Sequence, residues 1–209
     1  MGLIDHLNWR YATKRFDNTK KVSEADLATM QEAIRLSASS FGLQPYKVIV
    51  VEDADLKAKL LPASWNQPQI VEASHLFVFA AQTHVTPADI DAYLTLKANS
   101  MGISVEDLKG YGDFMKDKIG QREQADIQDW NSRQAYIALG NLLAAAGELK
   151  VDACPMEGFE VDQYNEILGL NEQGLSAVSV VPVGYRSEED ATQNAPKVRK
   201  PAEELFVVR

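Results

Sequence analysis

Apolar residues fall into two rhythms along this chain. The helical rhythm is clearest in SEADLATMQEAIRLSAS (23–39), where Leu27, Met30 and Ile34 form one stripe and Ser23 precedes Asp26 at capping-box spacing. TPADIDAYLTLKANSMG (86–102) begins with Thr86 as an N-cap and Pro87 at the first helical position, where a missing N–H costs nothing. SVEDLKGYGDFMKDKIG (104–120) repeats the capping pattern at Ser104 and Asp107. RQAYIALGNLLAAAGEL (133–149) is apolar on nearly all sides and predicts a helix buried in the middle of the molecule or in an interface. The second rhythm is the continuous apolar run: YKVIVV (46–51), HLFVFAA (75–81), VDACPM (151–156), LSAVSVVPVGY (175–185) and LFVV (205–208). Strands apolar on both sides need cover on both faces, so these runs predict a sheet layered between helices, in an α/β or α+β domain.

No internal repeat, low-complexity tract or Gly/Ser linker interrupts the pattern, which predicts one domain over residues 1–209. The polar stretch RSEEDATQNAPKVRKPAEE (186–204) stands out. Loops of that length are uncommon in compact domains unless they bind something or cross to a partner. The apolar strand expected after it has to find a sheet edge, and a second subunit's edge would serve.

Charge narrows the function. Across 209 residues the formal net charge is -9, so nucleic acid and anionic membrane surfaces would be repelled, and any bound anion must be met by a local cluster of cations. The single cysteine, Cys154, allows no intrachain disulfide and fits a reducing compartment, with the cytoplasm expected. No apolar run reaches the ~18–20 residues of a membrane span, and MGLIDHLNWR lacks the order of a signal peptide.

Common catalytic signatures are missing. The chain contains no G-x-G-x-x-G, P-loop, G-x-S-x-G or H-E-x-x-H, and His6, His75 and His84 show no metal-ligand spacing. His75 reads as structural, Cys154 as an inert buried thiol, and SEED (187–190) as a solvated loop. Cation placement remains. Arg10 and Lys14 share a face if the first helix runs that far, and PKVRK supplies Lys197, Arg199 and Lys200 near the other end. Either cluster alone reads as ordinary surface; brought together they would suit a phosphate, with Arg offering a planar fork and Lys a mobile point charge.

RYATKRFD, SASSFGLQPYKVIVV, SWNQPQIVEASHLFVF, CPMEGF and VVPVGYR…PKVRK, in that order and spacing, resemble the FMN-dependent nitroreductase family, in its NAD(P)H-dependent oxidoreductase branch near oxygen-insensitive bacterial nitroreductases. The resemblance implies an α+β fold with a central mixed, mainly antiparallel sheet covered by helices on both faces, its C-terminal strand exchanged with the partner of a homodimer. It implies FMN as cofactor, NADH or NADPH as donor, and ping-pong two-electron reduction of small-molecule acceptors such as quinones or nitroaromatics. Related reductions of pteridines, enoates or halogenated compounds, and a non-catalytic flavin-binding role, stay open.

The resemblance also places residues. Arg10 would contact phosphate and Lys14 the flavin pyrimidine and ribityl, with Tyr11 and Ala12 lining the same turn. Ala38, Ser39 and Ser40 match a P-S-S segment supplied across the dimer, with Ala where Pro is common. Asn66 matches a pyrimidine contact, and Gln69 stands where many members carry Lys or Arg, which would leave more of the reduced-flavin stabilisation to Lys14. Pro155, Met156, Glu157 and Gly158 match a P-x-E-G segment running along the ring, and Lys197 and Arg199 the C-terminal phosphate pair. A flavin brings its own redox chemistry, so the protein need only bind, orient and tune it. SASSFGLQP could equally be a simple turn. Trp65 is either a core aromatic or a pocket wall, and Phe41, Tyr111 and Phe114 are either substrate-pocket aromatics or ordinary packing.

Overall fold

The computed structural model describes residues 2–209. In chain order its elements are α1 (Leu3–Trp9), α2 (Glu24–Arg35), β1 (Tyr46–Val51), α3 (Ala54–Ala63), α4 (Gln69–Glu72), β2 (His75–Gln82), α5 (Pro87–Met101), α6 (Lys109–Gly120), α7 (Gln124–Leu149), β3 (Asp152–Ala153), α8 (Val161–Ile167), β4 (Leu175–Gly184) and α9 (Ala202–Leu205). Helix starts follow the expected caps. Ser23 Oγ accepts from the Asp26 N–H, and Thr86 and Asp89 close a reciprocal box around Pro87. Ser104 and Asp107 make the same box, but it opens a 3-10 turn at Glu106–Leu108 ahead of α6.

The sheet has the order β1-β2-β4-β3, with each strand pair antiparallel. Val78 sits between Ile49 and Val180, which fixes the register at the centre. Alternation along β2 feeds two cores. Leu76, Val78 and Ala80 enter one with Leu60, Ile70 and Tyr164 from α3, α4 and α8, whereas Phe77 and Phe79 enter the other with Met30, Ile34, Leu139 and Leu142 from α2 and α7. Both faces are therefore covered, which is why β2 reads as an unbroken apolar run. Fully burying side chains such as Phe77 and Phe79 stabilises by about 1.5–3 kcal/mol each. A third cluster joins α5, α6 and the start of α7 through Ile90, Leu94, Met115 and Trp130.

Four expectations are corrected. The first helix stops at Trp9, and Arg10 is already extended at φ -70°, ψ 144°. The run 151–156 makes a strand only at Asp152–Ala153; Pro155 has no N–H for a ladder, and pairing resumes as a single bridge from Met156 to Val180. The buried helix begins at Gln124, well before 133, because its first turns are polar and lie outside the apolar run. LFVV (205–208) is not a strand of this chain's sheet: Leu205 ends α9, and Phe206, Val207 and Val208 are exposed. Among the described residues the parallel pairing is the isolated bridge between Ala12 and Ala153.

Candidate functional site

The segment after α1 runs extended beside the sheet, bridged in parallel at Ala12 to Ala153 and antiparallel at Phe16 to Arg186. An extended chain repeats every two residues, so Arg10, Ala12 and Lys14 still fall on one side without any helix. Arg15 leaves the group: its Nε lies 2.8 Å from Glu72 Oε1.

A cavity of about 470 Å³ opens over this segment, with Arg10, Tyr11, Ala12, Lys14 and Pro155 on one side and Thr192, Ala195, Pro196, Lys197, Val198 and Arg199 on the other. Basic groups from both ends of the chain thus meet in one place. Arg10 Nε is buried and has no hydrogen-bond partner among the described residues. Burial pushes the Arg10 guanidinium down from its ordinary value, and the charge of Arg199 pushes the same way against Cys154 and Asp152. Burial also lowers the Lys197 ammonium, reinforced by Arg10, Arg199 and Arg186. Lys197 Nζ donates to the Asn8 carbonyl at 2.8 Å, a neutral partner that leaves its charge uncompensated. An unanswered buried donor among mutually repelling cations fits an anion, and a phosphate monoester best among cofactor groups.

Two carboxylates frame the cavity from behind. Asp152 accepts from Arg186 Nε at 3.0 Å and Nη2 at 2.7 Å, and the Arg186 guanidinium lies between the rings of Trp9 and Tyr11 at 4.4 and 4.7 Å. Asp190 belongs to the SEED stretch expected to be solvated, yet it is 1% exposed. It accepts from Tyr11 Oη at 2.9 Å and from the Lys14 N–H at 2.8 Å. Sequence reasoning missed it because its partners lie at the far end of the chain; the one available signal was its place just upstream of PKVRK.

Behind the cavity, Lys14 Nζ approaches Cys154 Sγ at 3.9 Å, and the buried Gln69 side chain lies beside the same thiol. Burial pushes the Cys154 thiol up, outweighing Lys14, Gln69 and Arg10, so it stays a neutral thiol. Lys14 and Gln69 therefore share one neighbour.

Residues 155–158 continue from there. Met156 is buried against Val180, while Tyr136 Oη lies 2.6 Å from Glu157 Oε1 and 3.1 Å from the Val178 carbonyl. The Gly158 carbonyl accepts from Gln67 Nε2 at 2.8 Å. A Cβ at Gly158 would stand 2.8 Å from Trp65 Cζ3, so only glycine lets the indole lie there. Trp65 is 61% exposed, its Nε1 donates to Glu160 Oε1 at 2.6 Å, and it and Asn66 both have φ 55°. It is therefore not a core aromatic.

Other expected residues lie elsewhere in the single chain. The Ser40 N–H donates to Gln134 Oε1 and Ser39 Oγ accepts from the Gln44 N–H, with the exposed Ala38 beside them. Phe41 packs edge-on against Phe114 at 6.3 Å and Trp130 at 6.2 Å, and Tyr111 carries Lys97 at 4.5 Å from its ring. Phe41, Tyr111 and Trp130 join the α5–α6 cluster, with Phe114 against Phe41 and half exposed, whereas Trp65 makes its contacts at Gly158 and Glu160. Neither Ala38–Ser40 nor the aromatic group lines the cation cavity within one chain.

The nitroreductase family model matches residues 7–185. This chain belongs to the nitroreductase family. A Staphylococcus haemolyticus protein named "Putative NAD(P)H nitroreductase" is 38% identical over 214 residues, covering 98% of this chain and 95% of the relative. A Bacillus subtilis protein of the same name is 36% identical, covering 97% and 95%. Among solved structures, a nitroreductase from Exiguobacterium sibiricum, described as in complex with FMN, superposes with a TM-score of 0.85 at 19% identity, covering 100% of this chain and 98% of that one. The fold is that of these nitroreductases, as the sequence motifs implied. Among the described residues no helix is long and apolar enough to cross a membrane, and no group of three or more His, Cys, Asp or Glu is placed to hold a metal ion.

Proposed function

We propose that this nitroreductase-family chain is an FMN-dependent NAD(P)H oxidoreductase, one domain over residues 1–209, acting as a homodimer in a reducing compartment on quinones or nitroaromatics by ping-pong turnover. One observation carries the reading: cations from both chain ends surround a single cavity in which the Arg10 Nε donor is buried and unanswered. FMN, when bound, supplies the redox chemistry, taking a hydride from NADH or NADPH and delivering two electrons to the acceptor. The relatives named NAD(P)H nitroreductases and the FMN-containing neighbour support that assignment.

Each residue has a task in it. Arg10, Lys197 and Arg199 hold the phosphate dianion, which returns to Arg10 and Lys197 the charge stabilisation that burial and neighbouring cations now deny them. Lys14 and Asn66 address the pyrimidine, where a cation favours the reduced cofactor, and Gln69 beside Cys154 leaves that favour to Lys14 alone. Pro155, Met156, Glu157 and Gly158 run along the ring, and Trp65 forms a wall at Gly158. Ala38, Ser39 and Ser40 serve the partner subunit's site, and Phe41, Tyr111 and Phe114 flank the acceptor. The exposed Phe206–Val208 tail pairs with the partner's sheet.

The test is spectroscopic. Purified protein should be yellow and release FMN on denaturation. Anaerobic NADPH or NADH should bleach the flavin band, and menadione or a nitroaromatic should restore it. A protein that takes up no FMN, or a bound flavin that neither nucleotide bleaches, overturns the reading.

A further inference from the structure

The cation cavity has walls from opposite ends of the chain, and few bonds hold them together. Between residues 8–15 and 187–199, apart from Asp190, the hydrogen bonds among the described residues are the Ser187 N–H to the Arg15 carbonyl and Lys197 Nζ to the Asn8 carbonyl. Asp190 supplies the rest. Its Oδ2 accepts from Tyr11 Oη at 2.9 Å, the Lys14 N–H at 2.8 Å and the Arg15 N–H at 3.2 Å. Its Oδ1 accepts from the Thr192 N–H at 2.9 Å and Thr192 Oγ1 at 2.7 Å. Tyr11, Lys14 and Thr192 all line the cavity themselves. From Thr192 the chain turns again, the Ala195 N–H donating to the Thr192 carbonyl, and so reaches Lys197 and Arg199.

A carboxylate beside an anion site would ordinarily weaken it. Here the two oxygens are taken up by backbone and hydroxyl donors, and neither Arg10, Lys197 nor Arg199 is bonded to Asp190 among the described residues. Burial pushes the Asp190 carboxyl up, but the donors from Thr192, Lys14 and Tyr11 outweigh it and hold it well below the usual carboxylate range, so it is ionised. The cations keep their charge for a ligand.

We propose that Asp190 is a positioning residue for the cofactor phosphate: it clamps the N-terminal wall to the C-terminal strap, so that Arg10 meets Lys197 and Arg199 at one phosphate site. This rests on the FMN reading above. Asp190 itself touches no cofactor; its effect passes through the register of the two walls. Its loss should therefore fall chiefly on the phosphate, with a much smaller share reaching the ring through the Lys14 N–H.

The experiment compares FMN with riboflavin, which lacks the phosphate, by fluorescence titration of the full-length chain stripped of flavin. Asp190→Asn is the primary variant, since it keeps the volume but sets an NH2 group against donors. It should weaken FMN about tenfold, about 1.4 kcal/mol, and change riboflavin less than twofold. Equal losses for both ligands, as general loosening would give, or no loss for FMN, overturn the proposal. If Asp190→Asn does not fold, Tyr11→Phe and Thr192→Val each remove one hydroxyl donor from the carboxylate; a lowered FMN preference supports the clamp and an unchanged one contradicts it. A wild-type protein with no preference for FMN over riboflavin sinks the phosphate assignment as well, whereas preference in the wild type unaltered by these variants sinks the clamp alone.

Discussion

Two populations of cations occur in this molecule, and they are perturbed in opposite directions. Lys20, Arg35 and Lys109 each lie against a carboxylate, at 2.9, 2.5 and 2.6 Å, and hydrogen bonding to that carboxylate raises each one above its ordinary value. Arg10 and Lys197 are lowered by burial and by other cations. The same side chains are satisfied on the surface and unsatisfied in the cavity. A fold gains nothing from assembling mutually repelling charges, so their arrangement makes sense as stored attraction for a ligand anion. Surface pairs of the first kind contribute little to stability and say nothing of function.

Breaking the cavity should have the largest effect. Arg10→Ala removes the buried guanidinium and should weaken FMN about 100-fold, about 2.7 kcal/mol, whereas Arg35→Ala on the surface should leave affinity within about twofold. Equal effects of the two, read by fluorescence titration, would erase the distinction. Lys197→Ala and Arg199→Ala come next, at about tenfold each, because the two share the phosphate, Arg199 is exposed, and neither has the buried unanswered donor of Arg10. Lowering the pH sharpens the comparison further. The second phosphate proton binds near pH ~6, so FMN affinity should fall as pH drops from about 7 to about 5, while riboflavin affinity should hold.

The smallest effect concerns stability without flavin. Lys197 is depressed in the folded chain, so between its lowered value and the ordinary lysine pKa of ~10.4 the unfolded chain binds more protons, and stability rises with pH through that window. Lys20 is raised, so its contribution is present below ~10.4 and is lost as pH climbs through its folded value. Lys197→Met should accordingly flatten the alkaline rise in Tm relative to wild type, and Lys20→Met should not. A Lys197→Met melting curve that tracks the wild type at every pH would show that the repulsion carries no energetic weight.

The legible part of the molecule was the part governed by near neighbours. The caps at Ser23 and Thr86 are set by contacts three residues away, and β2 announced its two covered faces through the unbroken run around Phe77 and Phe79. The cations of the site were legible too, because their chemistry is carried by residue type. What failed was long-range context. Arg10 looked helical beside α1, yet the pairing of Ala12 with Ala153 draws the chain out straight. Asp190 sits among polar residues that read as loop, and nothing nearby shows that Tyr11 and the Lys14 N–H will bury it. LFVV has the composition of a strand but pairs with no strand among the described residues, and its apolar side chains are exposed.

The most direct measurement is the wild-type affinity for FMN set against riboflavin, in one titration series at low salt. If cations from both ends of the chain are gathered for a phosphate, FMN should bind at least about 100-fold more tightly, about 2.7 kcal/mol, with the gap narrowing as salt is added. Equal affinity for the two flavins at low salt would contradict the account.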